Sequence, residues 1–174
     1  MYDGVASFFQ DQFAILDEAG NIITPGGRGQ LPIHRAILNE HVSLGTVKLM
    51  IDWNPESVLI ADRCGNIPLH LACQHCCMDI IKCLVNSDAG TVQIKDATGD
   101  LPIQIACRLG KCDVVKWILD MANGSGVSME NKDGKLPIQL LLYEASCDRD
   151  SLEYVQALHA LLCAHPEAVA HLLA

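Results

Sequence analysis

Apolar and polar positions along this chain form short helical runs that come in pairs. Over 43–53, Val47, Met50 and Ile51 fall on one side, the spacing of an amphipathic helix. Ser43 stands before it as a cap, and Asn54-Pro55-Glu56 closes it. A shorter run, Pro32–Glu40, precedes it. The same order, short then long, returns as Pro68–His75 with Met78–Val85 and as Pro102–Leu109 with Cys112–Met121. A fourth short run opens at Pro137, and Tyr143–Asp150 reads as an enlarged, charged connection. Asp150 with Glu153 then predicts a capping pair for a last helix from Ser151 to about Cys163. Val58–Asp62, Val92–Asp96 and Val127–Asn131 share a V-x-[IM]-x-[DN] pattern, predicted as extended chain between the pairs. Residues 2–17 predict one further helix, with Phe9, Phe13 and Leu16 on a common face beside Phe8, ended by Gly20-Asn21.

The short runs are copies of one another. Gly29-Gln30-Leu31-Pro32-Ile33-His34-Arg35-Ala36 recurs as Gly65-Asn66-Ile67-Pro68-Leu69-His70-Leu71-Ala72, as Gly99-Asp100-Leu101-Pro102-Ile103-Gln104-Ile105-Ala106, and as Gly134-Lys135-Leu136-Pro137-Ile138-Gln139-Leu140-Leu141. Pro32, Pro68, Pro102 and Pro137 step by 36, 34 and 35 residues. A fixed period of this size means stacked repeats. Proline suits the first helical position, where its missing N–H is no loss. The His or Gln two residues later can bond back to the turn. The small Ala36, Ala72 and Ala106 let paired helices approach; Leu141 in the fourth copy predicts a wider spacing.

The pattern G-x-[LI]-P-[LI]-[HQ]-x-[AL] resembles the G-x-T-P-L-H-x-A core of ankyrin repeats. The resemblance implies an all-α solenoid of about four helix-turn-helix repeats with short finger loops (25–61, 62–95, 96–130 and 131–174), forming one continuous domain behind an N-terminal capping helix over 1–24. The alternative for the Phe cluster in 1–24 is a docking surface. One departure is consistent: Leu31, Ile67, Leu101 and Leu136 replace the family's Thr. A lost cap costs about 1 kcal/mol, whereas burying such a side chain is worth roughly 1.5–3 kcal/mol. The swap is therefore tolerable, with less polar order expected at the turns. Asp62 and Asp96 match the Asp that opens an ankyrin repeat. Asn131 substitutes for it and Gly26 stands there in the first repeat, so the first finger is expected to be the loosest.

Composition narrows the classes. Half of the 174 residues are hydrophobic and 19% charged, enough apolar material for a core. The net charge of −9 would repel phosphate, which sets nucleic-acid binding aside. No apolar run approaches a membrane span. Met1-Tyr2-Asp3-Gly4 lacks the basic start of a secretion signal, so the nine cysteines read as reduced thiols of an intracellular protein. The apolar tail from Ala168 lacks the polar outer face of a terminal repeat. It implies either further repeats beyond it or an end-to-end contact.

Chemistry has little to stand on. Cys73-Gln74-His75-Cys76-Cys77 contains C-x-x-C, a redox and zinc spacing. Yet Cys73 and Cys107 hold the same place in the repeat, a packing position, and the pair lies at a helix C-terminus, where the dipole opposes a thiolate. Cys107 and Cys112, one repeat on, are badly placed to complete a zinc site with it. No catalytic grouping or phosphate loop is present, so no enzyme, cofactor or metal role is expected. His34 and His70 read as structural.

The resemblance implies a protein partner bound on the concave face. Carried over by position, its contacts would be Arg28, Gln30, Arg63, Cys64, Asn66, Thr98, Asp100, Lys132, Asp133 and Lys135 at the finger tips. Asn39, Gln74, His75, Arg108, Leu109, Tyr143 and Glu144 would come from the inner helices. Arg28, Arg63, Arg108, Lys132 and Lys135 against Asp100, Asp133 and Glu144 make this face near neutral or mildly basic, which suits an acidic or mixed partner. Arg108 and Tyr143 are the residue types that dominate interfaces. Two other classes remain open: a spacer within a longer repeat protein, and a thiol or metal function.

Overall fold

The computed structural model describes residues 15–16, 22–23, 29–39, 41–145 and 147–167. The chain forms two compact units, Met1–Asp88 and Ala89–Ala174. In the first unit, Ile15–Leu16 (β1) pairs antiparallel with Ile22–Ile23 (β2), Ile15 facing Ile23 and Leu16 facing Ile22. This corrects the expected helix over 2–17 at its C-terminal end. Gly20-Asn21, read above as a helix stop, equally suits a turn between two short apolar runs. The remainder of the expected capping helix, with Phe8, Phe9 and Phe13, lies outside the described residues, as does the tail from Ala168.

Four helices follow in the first unit: α1 (Pro32–Ile37), α2 (Leu44–Trp53), α3 (Pro68–His75) and α4 (Met78–Ser87). Within each hairpin α1 packs on α2 and α3 on α4; between hairpins α1 packs on α3 and α2 on α4. The second unit repeats the plan with α5 (Pro102–Arg108), α6 (Cys112–Met121), α7 (Pro137–Tyr143) and α8 (Leu152–Ala164). There α5 packs on α6 and α7, and α8 on α6 and α7. Each unit is thus two helical hairpins side by side, an inner layer of short helices and an outer layer of longer ones. Apart from β1 and β2, the regular elements among the described residues are helical.

The layers follow from composition. The inner helices are apolar nearly all round, and α3 buries every residue from Pro68 to Cys73, as expected of a helix packed on several sides. The outer helices are amphipathic: α4 buries Ile80, Ile81, Leu84 and Val85, and α6 buries Val114, Val115, Ile118 and Leu119. Cys73 and Cys107 are fully buried, the packing positions their register implies.

Two local expectations change. Val58 ends a 3-10 turn, Pro55–Val58, and Val92 lies in another, Ala89–Gln93. Val127 sits in a turn. The shared valine is therefore a buried plug in a tight turn rather than part of an extended strand, and all three are buried. The last helix is capped by Ser151, whose hydroxyl accepts from the Tyr154 N–H at 3.2 Å, and not by an Asp150–Glu153 pair. Ser43 caps α2 in the same way through Thr46 at 3.0 Å, as its position predicts.

Candidate functional site

Three fingers among the described residues are each built around one side chain that folds the turn onto itself. Asp62 Oδ1 accepts from the N–H groups of Cys64 and Asn66, both at 2.9 Å. Asp96 Oδ1 accepts from Thr98 at 2.8 Å and Asp100 at 2.9 Å, and from the Thr98 hydroxyl at 2.7 Å. Asn131 Oδ1 accepts from Asp133 and Lys135, both at 3.0 Å. These are Asx turns. They overturn the expectation of less polar order at the turns, because the order comes from the residue that opens the finger and not from the helix cap. The replacement of Thr still behaves as reasoned: Leu31, Ile67, Leu101 and Leu136 are all buried.

The motif His or Gln ties each inner helix to its own cap, and His34 and Gln104 reach on to the next finger. His34 Nδ1 accepts from the Leu31 N–H at 3.0 Å, so Nε2 carries the proton and donates to the Asn66 carbonyl at 3.1 Å. Gln104 does the same with an amide. Its Oε1 accepts from Leu101 at 2.8 Å and its Nε2 donates to the carbonyls of Lys135 at 3.0 Å and Met129 at 3.1 Å. His70 and Gln139 accept from Ile67 and Leu136 at 3.1 and 2.8 Å. Burial lowers the His34 pKa, against the opposing effects of Asp62 and the Asn66 and Ile60 carbonyls, so the ring is held neutral.

A charge cluster organises the second unit. Arg108 reaches Asp100 Oδ2 at 2.6 Å through Nη2 and Glu144 Oε2 at 3.0 Å through Nε. Lys135 pairs with the other Glu144 oxygen. Asn131 Nδ2 donates to Asp100 Oδ1 at 2.8 Å. Burial works against the Arg108 charge, but the hydrogen bonds and charges of Asp100 and Glu144 outweigh it and raise its pKa. The Lys135 hydrogen bond, with Arg108 adding, lowers the Glu144 pKa despite its partial burial. The two fingers of this unit are joined as well, by Lys132 N–H to the Thr98 carbonyl at 3.1 Å and Lys132 Nζ to the Ala97 carbonyl at 2.6 Å.

The candidate contact residues sort accordingly. Asn39, Arg63, Cys64 and His75 are exposed in the first unit, with Gln30, Asn66 and Gln74 half-buried. Gln30 Nε2 donates to Asp62 Oδ2 at 3.5 Å. In the second unit Thr98, Lys132, Asp133, Lys135, Leu109 and Tyr143 are exposed, Tyr143 at 67% and Leu109 at 42%. Arg108 and Glu144 are half-buried. Asp100 is 0% exposed and is corrected from a finger-tip contact to a buried anchor, because Arg108 and Asn131 both bond it. Arg28 lies outside the described residues. In the second unit Arg108 and Lys135 are balanced by Asp100 and Glu144. Sequence reasoning missed the proximity of Cys112 and Cys147, for which no local pattern exists. Among the described residues, no group of three or more His, Cys, Asp or Glu side chains gathers as a metal site.

A family model of ankyrin repeats in three copies matches residues 33–133. The chain belongs to the ankyrin repeat family, whose repeats are generally protein–protein interaction modules. No curated protein matches it. No helix among the described residues is long and apolar enough to cross a membrane.

Proposed function

We propose that this chain is a protein-binding module that engages its partner through finger tips and inner-helix ends. The observation that carries this reading is the pairing of Tyr143 and Leu109 with the cluster beside them. Both apolar side chains are exposed at the C-terminal ends of inner helices, while Arg108, Glu144 and Lys135 nearby are already held by one another. Large side chains on a frame that loses little freedom on binding make good anchors. Arg63, Cys64 and His75 offer a second set of exposed contacts in the first unit. Because Arg108 and Lys135 are paired with Asp100 and Glu144, association through this cluster is expected to depend weakly on salt.

Affinity capture from native lysate tests the reading with the wild-type chain beside a Tyr143→Ala, Leu109→Ala, Arg63→Ala, His75→Ala variant. Circular dichroism checks that the variant is folded. Proteins retained by the wild type and lost by the folded variant support it, and retention should persist as salt is raised. Identical sets from both would favour a spacer role and defeat the proposal.

A further inference from the structure

Cys112 opens α6, and Cys147 lies in the connection between α7 and α8. The fold brings them together through a glycine. Gly110 follows α5 with φ +68, and its N–H bonds the Cys107 carbonyl at 3.1 Å, a helix-ending role that favours glycine. A Cβ at Gly110 would stand 2.6 Å from Cβ and 2.7 Å from Sγ of Cys147. Cys147 therefore rests on bare backbone two residues before Cys112. Cys147 is also the neighbour whose charge and hydrogen bonding, after burial, act on the Cys112 thiol. Both are thiols; Cys112 is buried and Cys147 half-buried.

We propose that Cys112 and Cys147 form a thiol pair which a low-molecular-weight disulfide, such as oxidised glutathione, converts into an intramolecular disulfide that pins the α7–α8 connection to the start of α6. Cys147, the more accessible of the two, loses its proton and its thiolate attacks one sulfur of the reagent. The reagent's S–S bond breaks, one small thiol leaves, and Cys147 carries a mixed disulfide. Cys112 then loses its proton, attacks Cys147 Sγ and expels the second small thiol. Two protein thiols are oxidised and the reagent is reduced to two thiols, which take up the two protons. The second displacement is slow but intramolecular. Burial, then the charge and hydrogen bond of Cys147, push the Cys112 thiol up to about 11; the contribution from Cys147 vanishes once that sulfur is in a disulfide. The bond would also fix the backbone beside Glu144, which holds Arg108 and Lys135. None of this depends on the partner-binding role.

The test is incubation of the full chain with oxidised glutathione, followed by alkylation of remaining thiols, digestion and mass spectrometry. The expected product is a peptide pair linked through Cys112 and Cys147. Its formation should raise the thermal midpoint by roughly 5 °C or more, and dithiothreitol should reverse both changes. Cys112→Ser should stop at glutathione on Cys147 and lose the thermal shift. Wild-type protein that accumulates glutathione on Cys147 without the link, or that leaves both thiols alkylated, overturns the proposal.

Discussion

Asp100 and Asn131 exchange the chemical roles that Asp62 and Gln30 play in the first unit. There, an amide at the second finger position donates to an acid that opens the next finger. In the second unit the acid sits at the second position and the amide opens the next finger. The exchange allows Asp100 to take Arg108 as a second partner. It also explains why Asn131 is not Asp: both side chains are buried, and a carboxylate there would face the Asp100 carboxylate. Asn131→Asp keeps the acceptor for Asp133 and Lys135 but loses the donor and sets like charges together. It should cost roughly 2–3 kcal/mol, read as a lower urea midpoint. Adding Asp100→Asn restores an acid–amide pair in the order the first unit uses and should recover part of the loss. Equal stability of the single variant and the wild type would show that this contact carries no weight.

At the level of elements, the repeat motif made the inner helices legible because each of its residues has a local task. Proline starts the helix, His or Gln closes the cap, and Asp or Asn folds the turn. The outer helices were legible from amphipathic spacing, and Ser43 from its place before α2. What local pattern could not show was competition between equivalent local solutions. Ser151 outranked Asp150 as a cap, and the valine-led segments coil into tight turns because burying Val58 and Val92 does not require extension. The site was less legible. Exposure of Tyr143 and Leu109 follows from their place at helix ends, but the internal use of Asp100 and Arg108 depends on side chains from the neighbouring repeat. The apolar caps can be tested directly. Leu101 is buried, and its Cδ1 lies where a Cβ on Gly126 would come within 2.9 Å. Leu101→Thr gains a cap worth about 1 kcal/mol and gives up most of roughly 1.5–3 kcal/mol of burial. Chemical denaturation should show a net loss of about 1 kcal/mol. A gain would mean that the missing family Thr, and not apolar packing, limits the stability of this turn.

Across the whole molecule the two units do the same structural work with chemically different residues. The first uses His34 and His70 at the motif position, and the second uses Gln104 and Gln139. A neutral imidazole offers an acceptor and one donor and an amide an acceptor and two, so at neutral pH either can close the cap; in acid they are not equivalent. His34 Nδ1 can accept from Leu31 only while the ring is neutral, and burial lowers its pKa below the ordinary 6.5. The unfolded chain therefore takes up this proton more readily than the folded one. The stability that His34 contributes is complete above about pH 6.5 and is lost as pH falls from there toward the depressed folded value. Gln104 and Gln139 take up no proton. Acidification should accordingly disturb Met1–Asp88 before Ala89–Ala174. Two-dimensional amide spectra recorded from about pH 7.5 to about pH 5 should lose dispersed peaks around Leu31, His34 and Asn66 while those around Leu101, Gln104 and Lys135 persist. His34→Gln supplies the side chain that already does this work in the second unit, so it should keep the peaks around Leu31 and Asn66 in acid while leaving neutral-pH stability close to wild type. If the variant loosens at the same pH as the wild type, the acid response belongs to other groups.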